Sequence, residues 1–159
     1  MKRRDKFDYV LVETTGLADP GPVAQTFFMD DEIGSAFALD GIVTLVDAAH
    51  INQQLGRSDE STEQIAFADV LVLNKTDLVK GEGLDGLESR LREMNRMAKI
   101  VRSEKANVPV ETVLNLGAFN LDQALERRPT FLEPEYPFEW TGVYSLEPGR
   151  YELSLADGP

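Results

Sequence analysis

The chain contains no cysteine, which excludes disulfides and any thiolate metal site built from its own residues. It has a single histidine, His50, so it holds no imidazole cluster either. Cations are scarce: 16 Lys and Arg stand against 28 Asp and Glu, for a formal charge of −12. Electrostatic attachment to nucleic acid or to an anionic membrane is therefore not expected. No apolar run approaches the roughly 20 residues of a membrane-spanning helix. The basic start, Met1-Lys2-Arg3-Arg4, has no apolar segment behind it of the kind a secretory signal carries, so a cytoplasmic protein is expected.

What is present is globular in character. The chain has 159 residues, 42 % of them hydrophobic, enough for one domain with a core. Its leading element is Tyr9 to Val12, a short apolar run that stops at Glu13 and passes through Thr14 and Thr15 to Gly16. That run is apolar enough to be a central strand covered on both faces. Only eight residues precede it, so its neighbours on one side, and further chain before Met1, are expected to be missing. Pro22 suits the first turn of a following helix, with Val23, Phe27 and Ile33 on its apolar face. Asp30, Asp31 and Glu32 then fall at its far end, where acids oppose the helix dipole.

Residues 42–46, Ile-Val-Thr-Leu-Val, predict a second strand ending at Asp47. A polar loop with His50 leads to a helix that Ser61 or Thr62 can cap, carrying Ile65, Ala66 and Phe67. Val70 to Leu73 predicts a third strand ending in Asn74-Lys75-Thr76-Asp77. Leu84, Leu87, Leu91, Met94 and Ala98 recur at helical spacing and predict a helix whose apolar stripe is core. Val108 to Leu114 reads as a fourth strand, and Asn120 as the cap of a short helix carrying Leu121, Ala124 and Leu125. Strands alternating with helices predict an α/β fold with a doubly wound, mostly parallel sheet. Ligands of such sheets bind outside the carboxyl ends of the strands, so Glu13, Asp47, Asn74, Asp77 and Asn115 are expected on that rim. Two parts are expected: residues 1–127 form the sheet domain, and 128–159 are a Pro-, Glu- and aromatic-rich linker followed by the start of a small β module. In that module 138–144 and 151–155 are strands joined by a Pro148-Gly149 turn.

Two stretches carry chemistry. An Asp at the depth of Asp77 can accept two hydrogen bonds from guanine, from N1–H and from the exocyclic amine, a donor pair that adenine lacks. Asn74 would brace that loop, and the Lys75 stem would lie along the base face. The other stretch is Glu13-Thr14-Thr15-Gly16. A strand-end carboxylate can hold Mg²⁺ through water, and a glycine amide can approach a γ-phosphate closely. The same residues, taken alone, also suit an ordinary strand end and turn. His50 admits two readings as well, a zinc ligand or a plain polar loop residue.

The segments VLVETTGLADPGPVAQTFF, DGIVTLVDAAH and QIAFADVLVLNKTDLV closely resemble the CobW-like GTPases, P-loop proteins related to the hydrogenase- and urease-maturation GTPases. The likeness runs from about Asp8 to Leu125. It implies a P-loop NTPase fold, in part, with a short β-rich C-terminal extension. The function it implies is GTP hydrolysis coupled to metal handling, as a metallochaperone or metal-insertion factor. GTP and Mg²⁺ would be the cofactors, Zn²⁺ or Co²⁺ the metal, and a metalloprotein client or a second copy of the chain the partner. Glu13 and Gly16 match the family's catalytic Mg²⁺ and γ-phosphate motif, Asn74, Lys75 and Asp77 its guanine motif, and Asn115 to Gly117 the last loop near the base. His50 matches a histidine common in the family. The family's Gly-rich loop with Lys-Thr and its Cys-rich metal motif are not in this sequence, so weak or no GTP binding by this chain alone is expected. The alternative is a partner-binding relic of the same fold that hydrolyses nothing.

Overall fold

A computed structural model describes residues 8–14, 16, 18–55 and 59–133. At its centre is a parallel three-stranded sheet in the order β1-β2-β3, formed by Val43–Asp47, Val70–Asn74 and Lys99–Arg102. The register pairs Asp47 with Asn74 and Leu73 with Arg102, so all three strands end together on one rim. The fold is mixed α/β, as the alternation of strands and helices predicts. Among the described residues no helix is long and apolar enough to cross a membrane.

β2 is buried at every position, which its unbroken Val-Leu-Val-Leu run requires of an internal parallel strand. Leu71 and Leu73 meet Ile65 of helix α4 (Asp59–Phe67) and Leu84, Leu87 and Leu91 of helix α5 (Gly81–Met94) in one core. The predicted Leu stripe of α5 is therefore core. The helix ends earlier than the stripe suggests, at Met94, because Asn95 turns the chain and Ala98 is buried just before β3 rather than on the helix. β1 is paired on one side only among the described residues, and its Val43 and Leu45 are 40 % and 62 % exposed.

Three expectations change. Tyr9 to Val12 forms no strand: it pairs with no ladder among the described residues, and Val10, Leu11 and Val12 are 49 %, 80 % and 60 % exposed. An extended segment becomes a strand only when another strand takes its amides and carbonyls. The acidic cluster is not the frayed end of one helix. Helix α1 (Gly21–Met29) stops, and a second helix, α2 (Asp31–Ala36), begins with Asp30 as its cap, accepting from the Ile33 N–H at 2.9 Å. Asp31 and Glu32 then lie in a first turn, where acids favour the dipole. The strand expected at Val108 to Leu114 is a 3₁₀ turn at Val110–Thr112, and the third strand of the sheet is β3, which has only Ile100 and Val101 as apolar residues. A short helix, α3 (Ile51–Gln54), follows β1, and the last helix, α6 (Leu121–Arg127), is capped by Asn120 as expected.

The Pro- and Glu-rich stretch after Arg127 starts as packed chain. Phe131 is fully buried against Phe67, Phe119 and Phe28, with ring centroids 5.9, 6.3 and 6.3 Å away. The Gln25 side chain donates to its carbonyl. The expected hairpin at 138–155 lies outside the described residues.

Candidate functional site

The rim where β1 and β2 end carries the polar residues that the strand alternation places there. Asp47 closes β1. Its Oδ1 accepts from the backbone N–H of Ala49 at 2.9 Å and of His50 at 3.2 Å, so the carboxylate is fixed by its own turn. Its Oδ2 accepts from Lys75 Nζ at 2.7 Å and lies 3.0 Å from His50 Nδ1. Desolvation pushes the Asp47 pKa up, but the bonds from Lys75, His50 and the Ala49 N–H outweigh it and bring the group down to about 2. It is a fixed anion throughout the neutral range.

Asn74 closes β2 and is buried, and its Oδ1 accepts from the Ala106 N–H at 2.8 Å. Lys75 follows in the left-handed region, φ 60°, a conformation that costs a non-glycine residue energy and concentrates at functional sites. Thr76 is then tied twice to the Ser103 carbonyl, through its N–H at 3.3 Å and its hydroxyl at 3.1 Å. Asp77 sits exposed in the 3₁₀ turn Thr76–Leu78. The Asn74-to-Asp77 loop is thus clamped from one side by the turn after β3, whose Lys105 and Ala106 also have positive φ, 52° and 56°. The turn Ser103 to Ala106 is the part of the site that sequence reasoning missed. β3 offers two apolar residues, too short a signal to mark a strand end, and the positive φ values fall on residues other than glycine.

Glu13 and Gly16 lie elsewhere. They line a cavity of about 800 Å³ bounded by Val10, Leu11, Val43 and Leu45, and neither Asn74 nor Asp77 borders it. Gly16 has φ +64°, a left-handed conformation that glycine adopts without strain, with nothing within 4 Å of where a Cβ would stand. The Gln64 amide of α4 donates to the carbonyls of Gly16 (3.1 Å) and Ala18 (2.9 Å) and holds this segment against the helix. Asn115 is also separate from the rim. Its N–H donates to the Tyr9 hydroxyl at 2.6 Å, and the next two amides, of Leu116 and Gly117, donate to Asp40 at 3.0 and 2.7 Å. Asp40 precedes β1, so Asn115 stands at the opposite end of the sheet from Asn74. Although desolvation opposes it, the Asp40 pKa is lowered by the Tyr9 hydroxyl and these backbone N–H groups.

For a hard cation the exposed Glu13 carboxylate is an adequate donor, since Mg²⁺ keeps several of its waters. Zinc asks for about four N, S or O ligands, and among the described residues no group of three His, Cys, Asp or Glu is placed to hold a metal ion. His50 and Asp47 offer two donors.

The family model "CobW/HypB/UreG, nucleotide-binding domain" matches residues 1–102. The chain is 38 % identical over 135 residues to the zinc-regulated GTPase metalloprotein activator 1 of Schizosaccharomyces pombe, an alignment covering 80 % of this chain and 33 % of that protein. It is 34 % identical over 127 residues to the zinc chaperone YjiA of Escherichia coli, covering 79 % and 39 %. The crystal structure of Zn(II)-bound YjiA GTPase superposes with a TM-score of 0.60 at 33 % identity, covering 66 % of this chain and 32 % of that one. The chain therefore spans about a third of the length of these relatives.

Proposed function

Because the chain belongs to the CobW/HypB/UreG nucleotide-binding family, we propose that it carries the guanine-recognising part of a GTPase site that serves a metallochaperone or metal-insertion factor of CobW type. The observation that supports this most is the Asn74-to-Asp77 loop, set at the carboxyl end of the central strand and braced by Ala106 and Ser103. In this reading Asp77 accepts from the guanine N1–H and exocyclic amine, and Asn74 holds the loop. The stem of Lys75 covers one face of the base. Glu13 orients a water of the nucleotide's Mg²⁺, and the Gly16 amide meets the γ-phosphate. Mg²⁺, when bound with GTP, supplies neutralisation of phosphate charge. Asn115, on the far side of the sheet from this loop, contributes through Tyr9 and Asp40 to the fold rather than to the base. The transported metal is zinc or cobalt, delivered to a metalloprotein client, and a second copy of the chain is a candidate partner. His50 is the one imidazole available to that metal.

Binding by this chain alone is expected to be weak, since the sequence has no Gly-rich loop ending in Lys-Thr to take the phosphates. Titration of the ¹⁵N-labelled chain with millimolar GDP or ADP tests the base assignment directly. GDP should move the amide signals of Asn74 and Asp77 and ADP should not. Asp77→Ala should erase the difference, a loss of about 10- to 100-fold for hydrogen bonds to a charged group. Equal responses to both nucleotides in the unaltered chain would sink the assignment. Joined to a segment that supplies a Gly-rich phosphate loop, the chain should gain GTP turnover.

A further inference from the structure

We propose that Asp47, at the end of β1, is a positioning residue for base recognition: it holds the Lys75 side chain in place along the guanine site. The inference deepens the function proposed above and takes its ligand, a guanine nucleotide, from that reading.

The backbone of Lys75 is fixed on both sides, by Asn74 bonded to the Ala106 N–H and by Thr76 bonded to the Ser103 carbonyl. Its left-handed φ of 60° turns the side chain out of the strand direction. A lysine so placed on an exposed rim would normally sample many rotamers, and ordering it against a base would cost affinity. Here Nζ reaches across to Asp47 Oδ2 at 2.7 Å, while the side chain stays 46 % exposed. Asp47 is the register partner of Asn74, the residue before Lys75, so the bridge spans two adjacent strand ends. The carboxylate is itself already oriented, because its other oxygen takes the Ala49 and His50 amides. The half-exposed Lys75–Asp47 pair by itself adds little to folding stability; the carboxylate's part in the fold comes through its bonds to the Ala49 and His50 amides. Its value lies in pre-ordering four rotatable bonds before the ligand arrives. His50 Nδ1, 3.0 Å from the same Oδ2, braces the carboxylate from the other side.

A double-mutant cycle on this chain tests the proposal, with GDP affinity read from the Asn74 and Asp77 amide shifts. Asp47→Asn keeps an acceptor for the Ala49 N–H and removes the charge, which limits damage to the turn. It should weaken GDP binding about fivefold, the scale of one long side chain immobilised. Lys75→Met should weaken it similarly, and the double variant should be no weaker than Lys75→Met alone, since Asp47 acts through Lys75. Effects that multiply in the double variant, or an Asp47→Asn protein that binds GDP like the unaltered chain, overturn the positioning role while leaving the guanine loop intact. An unaltered chain with no preference for GDP over ADP overturns the proposed function, and with it the ligand assigned here.

Discussion

At the scale of single residues, Asp47 has a consequence that can be measured without any nucleotide. Its carboxyl is held near 2 in the folded chain, against about 3.9 for an unperturbed Asp. A depressed folded-state pKa gives stability that is complete above the unfolded value and lost as the pH falls through the folded one. The urea midpoint of the unaltered chain should therefore exceed that of Asp47→Asn by a constant margin from about pH 7 to about pH 5, and the margin should close between about pH 4 and about pH 2. A margin independent of pH would mean that the charge on Asp47 contributes nothing. The sequence marked Asp47 as a strand-end acid. It did not pair it with Lys75, because the pairing depends on a left-handed backbone at Lys75, a conformation that lysine does not advertise.

At the scale of elements, the joint between α5 and β3 rests on Asn95. It is 3 % exposed, and the two hydrogens of its amide nitrogen are shared among the carbonyls of Ile65, Ala66 and Ala68, at 2.8, 3.0 and 2.8 Å. Its carbonyl oxygen accepts from the Met97 and Ala98 N–H groups, both at 3.1 Å, and from Arg127 Nη2 at 3.0 Å. One side chain thus closes α4, ends α5 and starts β3. Asn95→Ala strands several buried backbone groups and should cost roughly 3 kcal/mol in urea unfolding. Asn95→Asp should cost at least as much, since a carboxylate would face three carbonyl oxygens with no hydrogen to offer. A loss below about 1 kcal/mol for either variant would show that water replaces these bonds. The Leu spacing of α5 was legible because a helix repeats its buried face. The helix end was not, because Asn95 acts through carbonyls about thirty residues earlier.

At the scale of the whole molecule, a second core joins α1, α6 and the chain after it, around Ala24, Phe67, Ala124 and Phe131. Phe131→Ala should lower stability by about 3–5 kcal/mol, as removal of a buried ring does. Thermal unfolding should show this as a large fall in the midpoint, and an unchanged midpoint would mean that the segment after Arg127 does not pack in solution. By itself the sequence determined the α/β class, the two strands that end at Asp47 and Asn74, the Leu stripe of α5, the Asn120 cap and the polar turn Asn74-Lys75-Thr76-Asp77 that follows β2. Each of these is written in local periodicity, in a cap or in a short contiguous motif. Tertiary structure alone decided that Tyr9 to Val12 joins no ladder among the described residues, that β3 rather than the segment at 108–114 pairs with β2, and that Asn115 stands away from Asn74. It also brought Ser103 to Ala106 and Asp47 against the Asn74-to-Asp77 loop. A strand exists only where another chain segment accepts its hydrogen bonds, and a site forms only where separate strand ends meet, so neither is fixed by the residues of one segment.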